Sequence, residues 1–86
     1  METYYALNQF PLNSWGQIVY IKESAKMRRR LWDLGFTNGA AIKALYVSPS
    51  GNPKAYLIRG SVIALRNEDA GAIIISPKEK GSTSWD

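Results

Sequence analysis

Short runs of apolar residues, bounded by Gly, Pro, Asn or Ser, make up most of this chain. Runs of this length that are rich in β-branched and aromatic residues are typical of β-strands. Five strands are predicted: Gln17 to Ile21, Ala41 to Val47, Ala55 to Arg59, Val62 to Arg66 and Ala72 to Ser76. Because side chains alternate along a strand, Tyr56 and Ile58 are predicted to share one face of the third strand. Ile63 and Leu65 share a face of the fourth in the same way.

Between the first two predicted strands the pattern changes to that of a helix. Met27, Leu31 and Leu34 recur at positions i, i+4 and i+7, which lie on one helix face. Ser24 precedes them as a candidate N-cap. A helix of roughly ten residues is too short to be stable alone, so this apolar face is predicted to dock on the rest of the domain.

The predicted helix ends at a clear stop signal. Gly35 follows Leu34 directly and can take the left-handed conformation that closes a helix. Phe36 is then predicted to fold back onto Leu31, the hydrophobic contact that accompanies such a cap. Asn38-Gly39 next turns the chain into the second strand.

Five close strands and one short helix predict the fold class. It is a mainly β, small SH3-like barrel with the α-helix inserted between strands one and two, and closing the barrel would remove exposed sheet edges. Residues 1–76 are predicted to form the single domain, in which residues 1–10 are an irregular arm anchored by aromatic side chains. Residues 77–86 are predicted to be a polar, frayed tail. Residues 67–71 are predicted to form a turn or a single helical turn.

Composition narrows the chemistry that is open to this chain. It has 86 residues, 11 Lys and Arg against 7 Asp and Glu, and no His or Cys. The usual general base, thiolate nucleophile and zinc ligands are therefore missing, so neither an enzyme nor a metal or cofactor site is expected. No apolar run approaches the roughly 20 residues of a membrane helix, and no signal peptide is evident. We expect a cytoplasmic protein that is not inserted in a membrane, with a net charge of +4 that favours anionic partners.

Four short motifs follow one another along the chain: RLWDLGFTNG from Arg30 to Gly39, PSGNP from Pro49 to Pro53, IRG from Ile58 to Gly60 and ALRNEDA from Ala64 to Ala70. Their order resembles that of the FeoA family of bacterial ferrous iron transport proteins. Each motif is weak alone, but four in order at this spacing are specific. Lys54 stands where the family usually has an apolar residue, which predicts a more polar rim on the loop before it.

The resemblance implies an SH3-like barrel that assists a transporter without transporting iron itself. The partner it implies is FeoB, a membrane permease with a cytoplasmic GTP-binding domain, which the small protein would contact directly. Two alternatives stay open: an SH3-like regulatory module for another partner, such as an iron-responsive repressor, or a small basic nucleic-acid-binding barrel. Nucleic acid is not the expected partner, because the aromatic residues are not interleaved with Lys and Arg as stacking on single strands requires. Homodimers are left open by the sheet edges of a small barrel.

The residues proposed for partner contact are Arg28, Arg29, Trp32, Pro49 and Pro53. The two arginines belong to a cluster of four cations in five residues, which is either a contact for an acidic surface or simply a solvated helix face. Trp32 is either an exposed interface anchor or a residue packed under the N-terminal arm. The two prolines either present a flexible loop tip to a partner or satisfy the geometry of a hairpin connection.

Overall fold

A computed structural model describes residues 3–22 and 27–78 of this chain. Six strands are present: β1 (Tyr5–Ala6), β2 (Trp15–Ile21), β3 (Ala41–Val47), β4 (Lys54–Ile58), β5 (Ser61–Leu65) and β6 (Ile73–Pro77). The helices are α1 (Arg28–Asp33), α2 (Asn67–Ala70) and a 3-10 helix (Leu7–Gln9). The predicted N-cap Ser24 and the tail beyond Lys78 lie outside the described residues.

The six strands form one antiparallel sheet in the order β1-β6-β2-β3-β4-β5. The mainly β prediction is therefore confirmed, and all five predicted strands are present with ends that differ by at most two residues. The hydrogen-bonded sheet of the described residues does not close, however, because β1 and β5 each pair on one side only. Register shifts between Ile18 and Tyr20 and between Ala44 and Tyr46 bend the sheet, as bulges do.

The core lies on one face of this bent sheet and is closed by α1 and the N-terminal segment. Tyr56 and Ile58 are buried together, as predicted from their spacing. Leu65 is also buried, and Ile63 packs against the core cluster from a partly exposed position. The largest fully buried side chains are aromatic or aliphatic: Tyr56, Phe36, Leu7, Ile18, Leu31, Ile42, Ile58, Ile73 and Ile75.

The N-terminal segment is more regular than the arm that the sequence predicts. β1 pairs with β6, and the 3-10 helix follows it directly. Leu7 and Phe10 are both buried in the core, and the Phe10 ring meets Tyr5 edge-on with 5.5 Å between centroids. Opposite them Gly16 allows a close approach, because a Cβ there would overlap Ile75 Cγ2 and lie 3.0 Å from Phe10 Cζ.

One residue of the predicted helix face is not buried. Leu31 is fully buried and Met27 packs against the core, but Leu34 is 39% exposed. The prediction for Leu34 was wrong because α1 ends at Asp33 and the chain reverses immediately afterwards. Phe36, which has no exposed surface, takes the core-facing position instead. No helix within the described ranges is long and apolar enough to span a bilayer.

Candidate partner-contact surface

The C-terminal end of α1 is locked by a Schellman motif. Gly35, at φ +107°, donates its N–H to Trp32 O at 3.0 Å, and Phe36 donates to Leu31 O at 2.9 Å. These two bonds satisfy carbonyl groups that a helix end otherwise leaves open, and the buried Leu31 and Phe36 add the hydrophobic contribution of the motif. The predicted glycine cap is thus confirmed, and it fixes which side of the helix faces solvent.

The outward side of α1 carries the first group of predicted contact residues. Arg28 and Arg29 are exposed, and Trp32 is 44% exposed. These three residues form what we call the helix face: Arg28, Arg29 and Trp32. A face that combines cations with a large, partly exposed aromatic ring has the composition of an interface hot spot.

Arg59 ties the helix end to the β4–β5 hairpin, a contact that the sequence did not reveal. Arg59 and Gly60 form the two-residue turn, with φ values of +49° and +80° that match a type I′ hairpin. The Arg59 guanidinium donates from Nε to Gly35 O at 3.3 Å and from Nη2 to Thr37 Oγ1 at 2.9 Å. The helix face is therefore held in a fixed position relative to the hairpin.

The second group of predicted contact residues lies in the loop from Ser48 to Pro53. Pro49 and Pro53 are exposed, and Asn52-Pro53 is a cis peptide bond. Gly51 donates its N–H to Ser48 O at 2.8 Å, which closes a turn, and Ser48 donates to Pro53 O at 3.1 Å. These bonds give the loop the tight geometry of a hairpin connection.

The same loop is also bonded to α2. Asn52 Oδ1 accepts the backbone N–H of Asn67 at 2.9 Å, and Asn67 Nδ2 donates to Gly51 O at 3.1 Å. Asn52 thus satisfies one of the N–H groups at the start of α2, where a capping side chain usually serves. Gly51 and Asn52 therefore hold the loop that carries Pro49 and Pro53 against the start of α2.

The two predicted groups are not brought together. Pro53 immediately precedes β4, whereas Arg59, which contacts the helix end, immediately follows it. Five residues of strand lie between them, so Pro53 and Arg59 are six steps apart, roughly 20 Å at 3.4 Å per residue. β5 runs back along β4 from the helix end to the loop end, so it is the element that joins the two groups.

Lys54 and the acidic pair of α2 each occupy a position that serves the fold. Lys54 is half-buried and donates from Nζ to Asn8 O at 2.5 Å, which links β4 to the 3-10 helix. The Lys54 amine is thus directed to the 3-10 helix, and the more polar rim on the loop before it stays a prediction. Glu68 and Asp69 lie in the first turn of α2, where a carboxylate interacts favourably with the positive end of the helix dipole. Within residues 3–22 and 27–78, no three acidic side chains cluster closely enough to hold a metal ion.

A polar pocket of about 220 Å³ lies at the far side of the sheet, between β2, β3 and the residue after β6. Its lining residues are Asn13, Ser14, Trp15, Lys43 and Lys78. Lys43 Nζ stands 5.8 Å from the Trp15 ring centroid, a cation–π distance. None of the residues predicted for partner contact lines this pocket.

Comparison with known proteins decides the family. A family model described as the FeoA domain matches residues 5–77, which is most of the chain. The chain belongs to the FeoA family. This confirms the resemblance carried by the four sequence motifs, and it makes the chain a FeoA-family accessory protein of ferrous iron transport. No curated protein matches the sequence significantly.

Solved structures show the same fold. The chain is similar to the NMR structure of a FeoA-like protein from Clostridium acetobutylicum, with 26% identity, full coverage of both chains and a TM-score of 0.84. It is also similar in fold to FeoA of Stenotrophomonas maltophilia, a zinc complex described as a prokaryotic SH3 domain protein, with 23% identity and a TM-score of 0.70. That match covers 87% of this chain and 88% of that one. The SH3-like prediction is thereby confirmed.

A third likeness extends the fold to regulators. A manganese-dependent transcriptional repressor matches with 15% identity and a TM-score of 0.80, covering 91% of this chain and 44% of the repressor. The FeoA-like fold of this chain thus also occurs as one part of a longer protein.

Proposed function

We propose that this FeoA-family chain acts in the cytoplasm as a non-enzymatic accessory protein of ferrous iron transport. Its role is direct contact with the cytoplasmic GTP-binding part of a FeoB-type permease. The observation that carries the proposal is the helix face, where Arg28, Arg29 and Trp32 are exposed on a helix whose C-terminal end is bonded by the Gly35 cap and by Arg59. Trp32 has only two side-chain torsions to order on binding, so its contact area comes at a small entropic cost.

Charge supports a protein partner with an acidic surface. The chain carries a net charge of +4, and three consecutive exposed arginines, Arg28 to Arg30, concentrate positive charge on one short helix. Such a patch steers an acidic partner and contributes to its orientation. Trp32, one helical turn after Arg28 and Arg29, adds the apolar area that affinity requires. Pro49 and Pro53 are proposed as a second contact, at the other end of the β4–β5 hairpin.

The test measures binding of the full chain to the isolated cytoplasmic domain of the permease, with and without GTP. Arg28→Glu and Trp32→Ala are each expected to weaken binding by about tenfold or more, the loss of a hot-spot residue. Lys22→Glu and Tyr20→Ala are the matched controls, because they change the same kinds of exposed side chain outside the helix face. Absence of binding by the parent chain in both nucleotide states, or equal losses in the control variants, would contradict the proposal.

A further inference from the structure

β5 is an open edge of the sheet, and it is the longer of the two edges. Among residues 3–22 and 27–78 it pairs with β4 alone, over the five residues from Ser61 to Leu65. The opposite edge, β1, has only two residues. A strand edge of five residues presents unpaired N–H and C=O groups that can accept another strand.

The hairpin geometry shows which backbone groups are open. The two-residue turn places Ile58 and Ser61 as a hydrogen-bonded pair, and bonded pairs then alternate along an antiparallel ladder. The N–H and C=O groups of Val62 and Ala64 therefore point away from β4. Both residues are exposed, Val62 by 57%, and neither takes part in a backbone hydrogen bond outside the ladder within the described ranges.

Charges at the ends of β5 decide between possible occupants of the edge. The strand itself, Ser-Val-Ile-Ala-Leu, is uncharged, but the exposed Arg59 precedes it and the exposed Arg66 follows it. Two copies paired antiparallel about Ile63 would place Arg66 of one copy within a residue of Arg59 of the other, at both ends of the pair. Like charges placed side by side destabilise strand pairing, so the edge disfavours a second copy.

We infer that the β5 edge binds an extended segment of a partner protein as an added strand. The segment has apolar residues at alternate positions, which pack beside Val62 on the outer face, and an acidic residue at each end, next to Arg59 and Arg66. Main-chain hydrogen bonds to Val62 and Ala64 supply the pairing, as in other complexes formed by strand addition. This inference goes beyond the transporter contact, because it defines the bound segment by its chemistry and holds for whichever protein carries it.

Position adds a second reason for this edge. β5 begins next to Arg59, which contacts the end of α1, and it ends opposite Lys54, beside the loop that carries Pro53. A strand bound along β5 therefore has one end at the helix side of the molecule and the other at the loop side. One extended segment therefore runs from the turn beside the end of α1 to the loop that carries Pro53.

The experiment uses hydrogen exchange of the full chain, followed by NMR at single amides. The probe is a synthetic peptide with valine at alternate positions and glutamate at both ends, and the control peptide has lysine at both ends. The glutamate peptide is expected to slow exchange of the Val62 and Ala64 amides by about tenfold or more, because a strand amide exchanges only when its hydrogen bond opens. The lysine peptide is expected to bind more weakly.

Two further comparisons keep the inference open to refutation. Arg66→Ala is expected to weaken the glutamate peptide by about two- to fivefold, the worth of an exposed charge pair, whereas the exposed Lys22→Ala leaves it unchanged. The inference is overturned if neither peptide protects Val62 and Ala64. It is equally overturned if these amides become protected on raising the concentration of the chain alone, since the occupant is then a second copy.

Discussion

Tyr56 is a buried phenol whose hydroxyl has no hydrogen-bond partner in the described part of the chain. Its side chain has no exposed surface, and burial raises the pKa of Tyr56 from 10.0 to about 12. Folding therefore favours the neutral phenol. The resulting contribution to stability is complete below pH 10, the pKa of the unfolded chain, and it is lost as the pH rises towards and through 12.

The size of the effect follows from these two pKa values. Between pH 9 and pH 11 the titration of Tyr56 should lower the free energy of unfolding by about 1.3 kcal/mol, since each unit of pKa difference is worth about 1.36 kcal/mol. Tyr56→Phe removes the titrating group and keeps the ring. At neutral pH this variant should be equal to the parent or more stable by up to about 2 kcal/mol, because a buried hydroxyl without a partner costs free energy.

Urea denaturation of parent and variant at several pH values between 8 and 11 measures both effects. The free energy of unfolding of Tyr56→Phe, relative to the parent, should rise with pH, because other titrating groups are common to both proteins and cancel. Tyr46→Phe is the matched control, as it removes the same hydroxyl from a side chain that is 60% exposed. Parallel pH curves for parent and Tyr56→Phe, or the same divergence in both variants, would refute the reasoning.

Two substitutions test the close packing and the loop anchor. Gly16→Ala should lower the free energy of unfolding by about 1–3 kcal/mol in urea denaturation, because its Cβ would overlap the buried Ile75. An unchanged denaturation midpoint would show that Ile75 can move aside without cost. Asn52→Ala should cost about 0.5–2 kcal/mol, because the N–H of Asn67 loses its acceptor, whereas Asn52→Asp retains an acceptor and should keep most of the stability. Equal losses in both Asn52 variants would mean that the bond to α2 is not the stabilising contact.

Local pattern was sufficient for the elements that sequence spacing alone determines. Ala41 to Val47 was predicted as a strand with both ends correct, because an apolar run interrupted only by Lys43 stands there between turn formers. The Gly35 cap was predicted for the same reason, since a helical period that ends at a glycine has one common local solution. β1 escaped prediction because two residues carry no period, and Tyr5 and Ala6 are extended only through pairing with β6.

The candidate surface was predictable in part and for a different reason. Arg28, Arg29 and Trp32 are exposed as their helical positions predict, because an outward direction follows from the period of one helix. The contact of Arg59 with Gly35 and Thr37 was not predictable, because it joins segments more than twenty residues apart. Arg59 beside Gly60 indicated the turn alone. The neighbouring sequence does not indicate which groups the Arg59 guanidinium would bind.

The position of β6 between β1 and β2 sets an order on how the chain can fold. β2, β3, β4 and β5 pair in sequence, so a growing chain can assemble them as neighbouring hairpins. β1 and the far side of β2 have no strand to pair with until residues 73–77 have been made. Such pairing between distant segments is slow compared with hairpin formation, because the long loop must close first. The domain therefore completes its sheet only after β6 has been synthesised. Until then β1 and the apolar residues that follow it stay unpaired with β6 and exposed to solvent.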